Sequence, residues 1–424
     1  MQRSHIVGQR VVQTIARQVT VRAMATTTNN LKLVRWLTCL MFFTFAMTTD
    51  AVGSVIPRVI EEFALSLTAA GSFHYSTMVG IASGALLLGF LADRAGRKVT
   101  IILGLSVYSL SCLLFSASHS LWAFIALLAA GGLGISIFKT GALALIGDIS
   151  SSTAAHTRLM NMVEGFFAVG AIVGPAVVAT LLKSDMSWKW LYIIASTMCA
   201  ALILIAARIQ YPDVKRTEKS STSGEVLAVL KDPLALGFSF LIMLYVATEV
   251  AIYVWMPTFL ADYDGPVKWL PIYALTIFFM LRALGRFLGA WLLGHFSWTV
   301  VLVISSLAIS LCFLSSVVSG VEHAAWLLPL SGLFMSIMYP TLNSKGISCF
   351  PKAQHGAAAG VILFFTAVAA VLGPLAMAAV SDAYRSTHAG FALATGFSLL
   401  LFAGLLTNQM FNPARRRLQG SDAA

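Results

Sequence analysis

Eight ionisable residues stand out within or at the ends of stretches otherwise apolar enough to cross a lipid bilayer: Asp50, Lys139, Glu164, Glu249, Arg282, Arg286, Lys345 and Asp148. An ionised side chain at the bilayer centre costs roughly 2.5–3.5 kcal/mol on insertion scales, so such groups face a cavity or a partner and mark paths for solutes or protons. A carboxyl group in a partly dry cavity can load and release a proton near neutral pH. Asp50 and Glu249 are therefore the candidates for proton coupling or for hydrogen bonding a substrate. The competing reading for Asp50 is a hydrated acid near the outer mouth, because Pro57 follows seven residues later. At 1.5 Å per residue, Lys139 sits about 15 Å and Glu164 about 10 Å above the inner ends of their helices, which allows a pair between them. Such a pair is either a structural lock or a relay that a proton or substrate breaks. Arg282 and Arg286 are one helical turn apart and share a face. They suit a substrate carboxylate or phosphate, or they neutralise Glu249 from the next helix. Asp148 and Lys345 lie near the inner interface, where hydration is cheap, and carry no assigned chemistry.

The elements that hold these residues follow from composition. Of 424 residues, 58% are hydrophobic and 11% charged, against roughly 25% charged in a soluble domain. Most of this surface must face lipid. Runs near 35–57, 70–92, 99–117, 121–147, 157–182 and 188–209 reach the twenty or so residues a span needs. So do 234–261, 268–295, 299–318, 324–350, 356–381 and 388–411. The expected fold is all-α, with twelve transmembrane helices in two six-helix bundles. Residues 1–32 form a basic tail, 33–210 the first bundle, 211–233 a polar linker, 234–412 the second bundle and 413–424 a second basic tail.

Lys and Arg set the orientation. Outside the spans they concentrate in the tails, Arg94–Lys98, Arg158, Lys352 and the linker region, while only Arg58, Lys183, Lys189, Lys268 and Arg385 fall on the other side. Both termini are expected to be cytoplasmic, in a bacterial inner membrane. This distribution reads the +11 net charge as a topology signal and not as a nucleic-acid surface. The first 23 residues hold four Arg and no acid, a transit-peptide flavour. An upstream start before Met24 is the plainer account. The five cysteines lie inside apolar runs at irregular spacing and predict neither disulfide nor metal site. No Walker A sequence or nucleophile–base constellation is present. An enzyme is not expected, nor a cofactor.

An internal repeat with an offset near 200 residues links the bundles. His156, Phe166 and Gly174-Pro175 match His355, Phe365 and Gly373-Pro374, and Pro57 matches Pro257, each proline expected to close its helix. Asp50 and Glu249 then fall at nearly equivalent depths. Two similar halves imply a pseudo-two-fold axis along the membrane normal and a shared cavity. Gly170, Gly174, Pro175, Gly373 and Pro374 are expected at helix-packing contacts. Tyr253 and Trp255 are expected as interface anchors. His74, His156 and His355 show no metal-ligand spacing and receive no role.

The run Gly89-Phe90-Leu91-Ala92-Asp93-Arg94-Ala95-Gly96-Arg97-Lys98 resembles the signature between the second and third helices of the major facilitator superfamily. It predicts a latch at Gly89, Asp93, Arg94, Gly96, Arg97 and Lys98, with a tight turn at the glycines and Asp93 pairing with a neighbouring base. Ala247–Ile252, Gly285–Gly289 and Tyr339-Pro340-Thr341 resemble the fucose:proton symporter-like sugar permease branch. That branch has an acid where this chain has Lys139 before Thr140-Gly141. The resemblance implies a secondary transporter moving a small polar, sugar-like solute by alternating access with protons as coupling ion, acting as a monomer in the lipid bilayer. Export of metabolites or drugs, organic-anion transport and a non-transporting ligand sensor are the alternatives.

Overall fold

The computed structural model describes residues 30–88, 91–150, 153–211, 223–350, 355–415 and 417–418. In the first half, α1 spans Asn30–Phe63, α2 Ser72–Leu88, α3 Arg97–Ala117, α4 Leu121–Asp148, α5 Thr153–Lys183 and α6 Trp190–Arg208. In the second, α7 spans Pro233–Phe259, α8 Leu270–His295, α9 Trp298–Ser319, α10 Val321–Ser348, α11 His355–Tyr384 and α12 Thr387–Phe411. Eleven of these are long and apolar enough to cross a membrane, and α2 adds a twelfth with 17 residues. The protein is a multi-pass integral membrane protein. An even number of crossings puts the start of α1 and the end of α12 on one side, termed the terminal face.

The repeat predicted from sequence appears as duplicated packing. In the first half α4 packs on α2 and α3, and α3 on α6; in the second α10 packs on α8 and α9, and α9 on α12. The glycines make the match residue by residue. Gly170 and Gly174 of α5 press on the Phe43 and Met47 carbonyls of α1, while Gly373 of α11 presses on Ala247 of α7. A Cβ at any of the three would overlap its partner, so these helices touch backbone to backbone. Between the halves, α2 and the short helix Leu67–Ala70 before it meet α11, α1 meets α7, and α5 meets α8.

Among the described residues three spans are irregular, and two of the irregularities fall beside an acid. The α1 helix breaks at Asp50–Ala51 and resumes at Val52, running through Pro57 to Phe63. The expectation that Pro57 ends this helix is therefore corrected: the resumed helix has only begun, so its ring removes a single i−4 bond. Likewise α7 continues past Pro257 to Phe259, after a π-helical turn at Ala251–Trp255 that begins two residues beyond Glu249. Turns of this kind inside helices concentrate at functional sites. The third interruption separates Val321–Met335 from Met338–Ser348 in α10. There Pro340 supplies no amide for the Ser336 carbonyl.

Helix ends are fixed by ordinary capping. The Asp232 side chain accepts from the Leu234 and Ala235 amides and Pro233 takes the first position of α7. Part of the expected linker is itself ordered: Ser223–Leu230 is helical and packs on α11.

Candidate functional site

The charged residues read from sequence gather in one layer near mid-membrane, and they are not equivalent. Glu249 is buried, at 7% exposure, and its Oε1 lies 2.5 Å from Arg282 Nη2. Tyr245, one turn earlier on α7, donates to the same Oε1 across 2.7 Å and lies 3.0 Å from the Met335 carbonyl oxygen at the α10 break. Arg282 Nε is buried without a partner. Of the two roles read for Arg282, neutralising Glu249 is the one the geometry displays.

Asp50 differs. Its carboxylate accepts only from the adjacent Thr49 hydroxyl, at 3.1 Å, and it forms no ion pair among the described residues. Because α1 continues 13 residues beyond it to Phe63, Asp50 lies about 20 Å from the end of α1 remote from the terminal face, at 1.5 Å per residue. That depth corrects the outer-mouth reading. The charges that reach Asp50 are those of Arg282, Lys139 and Glu249, so it faces the interface between the halves.

Lys139 lies within electrostatic reach of Glu164 and Asp50, with its ammonium 5.5 Å from the centre of the Phe167 ring. The close Lys139–Glu164 pair envisaged from helix depth is not formed among the described residues. Glu164 instead lines a cavity of about 930 Å³ between α5, α8 and α10, with Trp298 at the start of α9. Arg286, Phe287, Thr341, Ser344 and Lys345 also line it. The cavity runs toward the terminal ends of α8 and α10. Lys345, set aside from its sequence position, belongs to this wall.

The opposite face is sealed between the halves. Asp382 of α11 accepts from the Leu67 amide at 2.9 Å and the Thr68 amide at 2.8 Å, capping the short helix that precedes α2. His74 of α2 donates its Nε2 proton to the Ala370 carbonyl, 3.0 Å away on α11. That carbonyl is four residues before Pro374, whose missing amide leaves it free. Gly53 of α1 presses on the Tyr253 carbonyl of α7. Trp255 is buried and donates to the Pro374 carbonyl at 3.0 Å, and Tyr253 packs beside His74. Both belong to this seal, which overturns their reading as interface anchors: α7 is a central helix with little contact to lipid. The sequence offered no signal for Asp382 or His74, and Tyr245 stood there only as one of several aromatics near the charged residues.

The signature run is partly visible. Gly89 and the Asp93 side chain lie outside the described residues, as do the side chains of His156 and His355. Gly96 has φ +86°, a value that favours glycine and makes the expected turn. Arg97 Nε donates to Asp148 Oδ2 at 2.8 Å, and its guanidinium donates to the Ala92 carbonyl. Asp148 thus acquires a partner that its position alone did not suggest. Lys98 donates to the Ala207 and Ile209 carbonyls at 2.8 Å, closing the end of α6.

Two duplicated bundles, charge at mid-depth, a cavity open toward one face and a seal at the other define a membrane carrier. The sequence profile of the Major Facilitator Superfamily matches residues 38–374, and the chain belongs to that family. It is 26% identical over 385 residues to the glucose/galactose transporter of Brucella abortus biovar 1 (strain 9-941), covering 87% of this chain and 92% of the relative. It is 23% identical over 352 residues to the L-fucose-proton symporter of Escherichia coli (strain K12), covering 73% and 78%. The crystal structure of nucleoside transporter NupG superposes with a TM-score of 0.72 at 17% identity, over 89% of this chain and 98% of that one.

Proposed function

We propose that this chain is a proton-coupled carrier of a sugar or related polyol, working by alternating access between its two halves. The observation that carries the proposal is Asp50: a carboxylate at mid-span, at a break in α1, with no ion pair among the described residues and within reach of Lys139 and Arg282. A carboxylate in that position can take a proton with the solute and give it up on the other side, because its neutral and charged forms leave the site with different balances of charge. Lys139 supplies the counter-charge when Asp50 is empty, and Glu164 holds that amine when Asp50 is protonated. The glucose/galactose and fucose-proton relatives support the solute class. The hydroxyls of Thr341 and Ser344 in the cavity wall suit a polyol.

The excess of Lys and Arg supports a cytoplasmic terminal face in a bacterial inner membrane. On that reading the structure is inward-open, as a monomer, with the Arg97–Asp148 contact bracing the latch region. A carboxylated solute is the second reading, favoured by Arg286 and Lys345 in the cavity wall.

Uptake of labelled D-glucose, D-galactose, L-fucose and D-glucuronate into proteoliposomes, with and without an imposed pH gradient, tests the proposal. Accumulation of a neutral sugar only with the gradient is the expected result. Binding without accumulation would make the protein a sensor, and gradient-independent equilibration would remove the proton.

A further inference from the structure

The Tyr245 hydroxyl has one proton and two acceptors. Glu249 Oε1 is 2.7 Å away on the same helix, and the Met335 carbonyl is 3.0 Å away on α10. The ring is fully buried, away from bulk solvent. Met335 is the last residue of the first α10 segment, and the second begins at Met338. The second segment carries Thr341, Ser344 and Lys345, three of the polar groups in the cavity wall. At the break itself, Ser336 packs against Gly285 and Ile337 against Gly289, so α8 supports the junction on the turns that follow Arg282.

We propose that Tyr245 is the positioning residue that ties the charge of Glu249 to the bend of α10. This rests on the reading that the Glu249 layer belongs to the transport site. An ionised carboxylate is the stronger acceptor, because hydrogen bonds to charged groups are roughly twice as strong as neutral ones. While Glu249 is charged, the phenolic proton points to it, and the Met335 carbonyl is left without that donor. Once a proton or a solute hydroxyl satisfies Glu249, the phenol turns to Met335 and pins the break. The second segment of α10 is then held at one angle, and the wall of the cavity registers what happens at mid-membrane. The break and the π-turn after Glu249 lie at the two ends of this hydrogen-bonded link.

The test needs no transport, which separates its failure from that of the proposed solute. Full-length protein in nanodiscs carries S344C; the five native cysteines are all buried. The rate of labelling by an impermeant maleimide is read in four backgrounds: native, E249Q, Y245F and the double variant. E249Q imitates the neutral carboxyl and is expected to change the rate by at least about threefold, at the low end of couplings between contacting residues. In the Y245F background the same E249Q change is expected to vanish. An E249Q effect of equal size with and without the hydroxyl, or no E249Q effect at all, overturns the proposal. Should Y245F fail to melt as a folded protein, Y245H takes its place. Its shorter side chain withdraws the donor from Met335 and is expected to uncouple the two sites equally.

Discussion

Asp50 and Glu249 occupy matching places in the two halves, each on the first helix and each beside an irregular turn, yet their surroundings have diverged. Glu249 is enclosed, with Arg282 at 2.5 Å and Tyr245 at 2.7 Å. Asp50 has one neighbouring hydroxyl and no ion pair among the described residues. Duplication has kept the backbone device and divided the chemistry. One acid is bound to Arg282 and Tyr245 and organises the second half, and the other has a single hydroxyl beside it and is left available to exchange a proton. Glu249, the coupling candidate for which the sequence raised no outer-mouth reading, is the one that holds a charged partner.

That contrast can be broken most directly at the pair. Removing one member of a buried ion pair strands the other charge at a cost of about 3–5 kcal/mol. R282A is therefore expected to lower the melting temperature and folded yield sharply, and R282M/E249L to restore much of the loss. Native-like melting of R282A alone would mean that the pair does not hold this layer together. D50N should behave in the opposite way. Its melting stays near native while gradient-driven accumulation falls by on the order of tenfold, the equivalent of about 1.4 kcal/mol, and exchange persists. If accumulation survives in D50N, the two acids have been assigned the wrong way round.

A finer probe uses the seal between the halves. D382N weakens two charge-assisted hydrogen bonds, and bonds to charged groups contribute about 1.5–3 kcal/mol each. Labelling of T49C from the sealed face is expected to rise at least about tenfold in D382N, whereas T248C, buried beside Glu249, stays protected. Equal gains at both would erase the difference in access.

The smallest effect sets the scale for a pair outside the membrane. Partial burial acts to raise the Asp232 carboxyl, but the hydrogen bond from Arg417 and those from the Leu234 and Ala235 amides outweigh it and hold it below the ordinary value. A depressed folded-state carboxyl stabilises above its unfolded value, near 3.9, and loses that contribution as pH falls through the folded value. R417A should therefore cost about 0.5–1 kcal/mol at neutral pH and progressively less below about pH 4. A loss in R417A that is unchanged at pH 3 would show that the contact is packing and not charge.

The sequence carried the fold well, because the physics behind it is one-dimensional. Twenty apolar residues span a bilayer wherever they fall, and a repeat near 200 residues shows itself without contacts. Gly174 and Gly373 were legible as packing positions for that reason. The candidate layer was legible as a set, since charge inside a span is conspicuous, but not as a network. Whether Glu249 or Asp50 holds a partner depends on which way α8 turns, and helix rotation leaves no mark in composition. Asp382 looked like one more acid at a helix end, and Tyr245 like one aromatic among many. Both acquire meaning only from a backbone amide or carbonyl on another element, and such groups are invisible to residue types. Pro57 misled because a proline removes one backbone hydrogen bond and need not end a helix, as Pro175 inside α5 and Pro374 inside α11 also show.

The meeting of Gly53 with the Tyr253 carbonyl has a mechanical consequence. The two positions are related by the repeat and lie where the first helices of both halves cross, with no side chain between them from α1. Such a contact serves as a fulcrum, since the bundles can tilt about it while their separation there stays constant. A methyl group added at Gly53 would act as a wedge, prying the outer rims apart and biasing the carrier toward the opposite opening without touching a single charged residue.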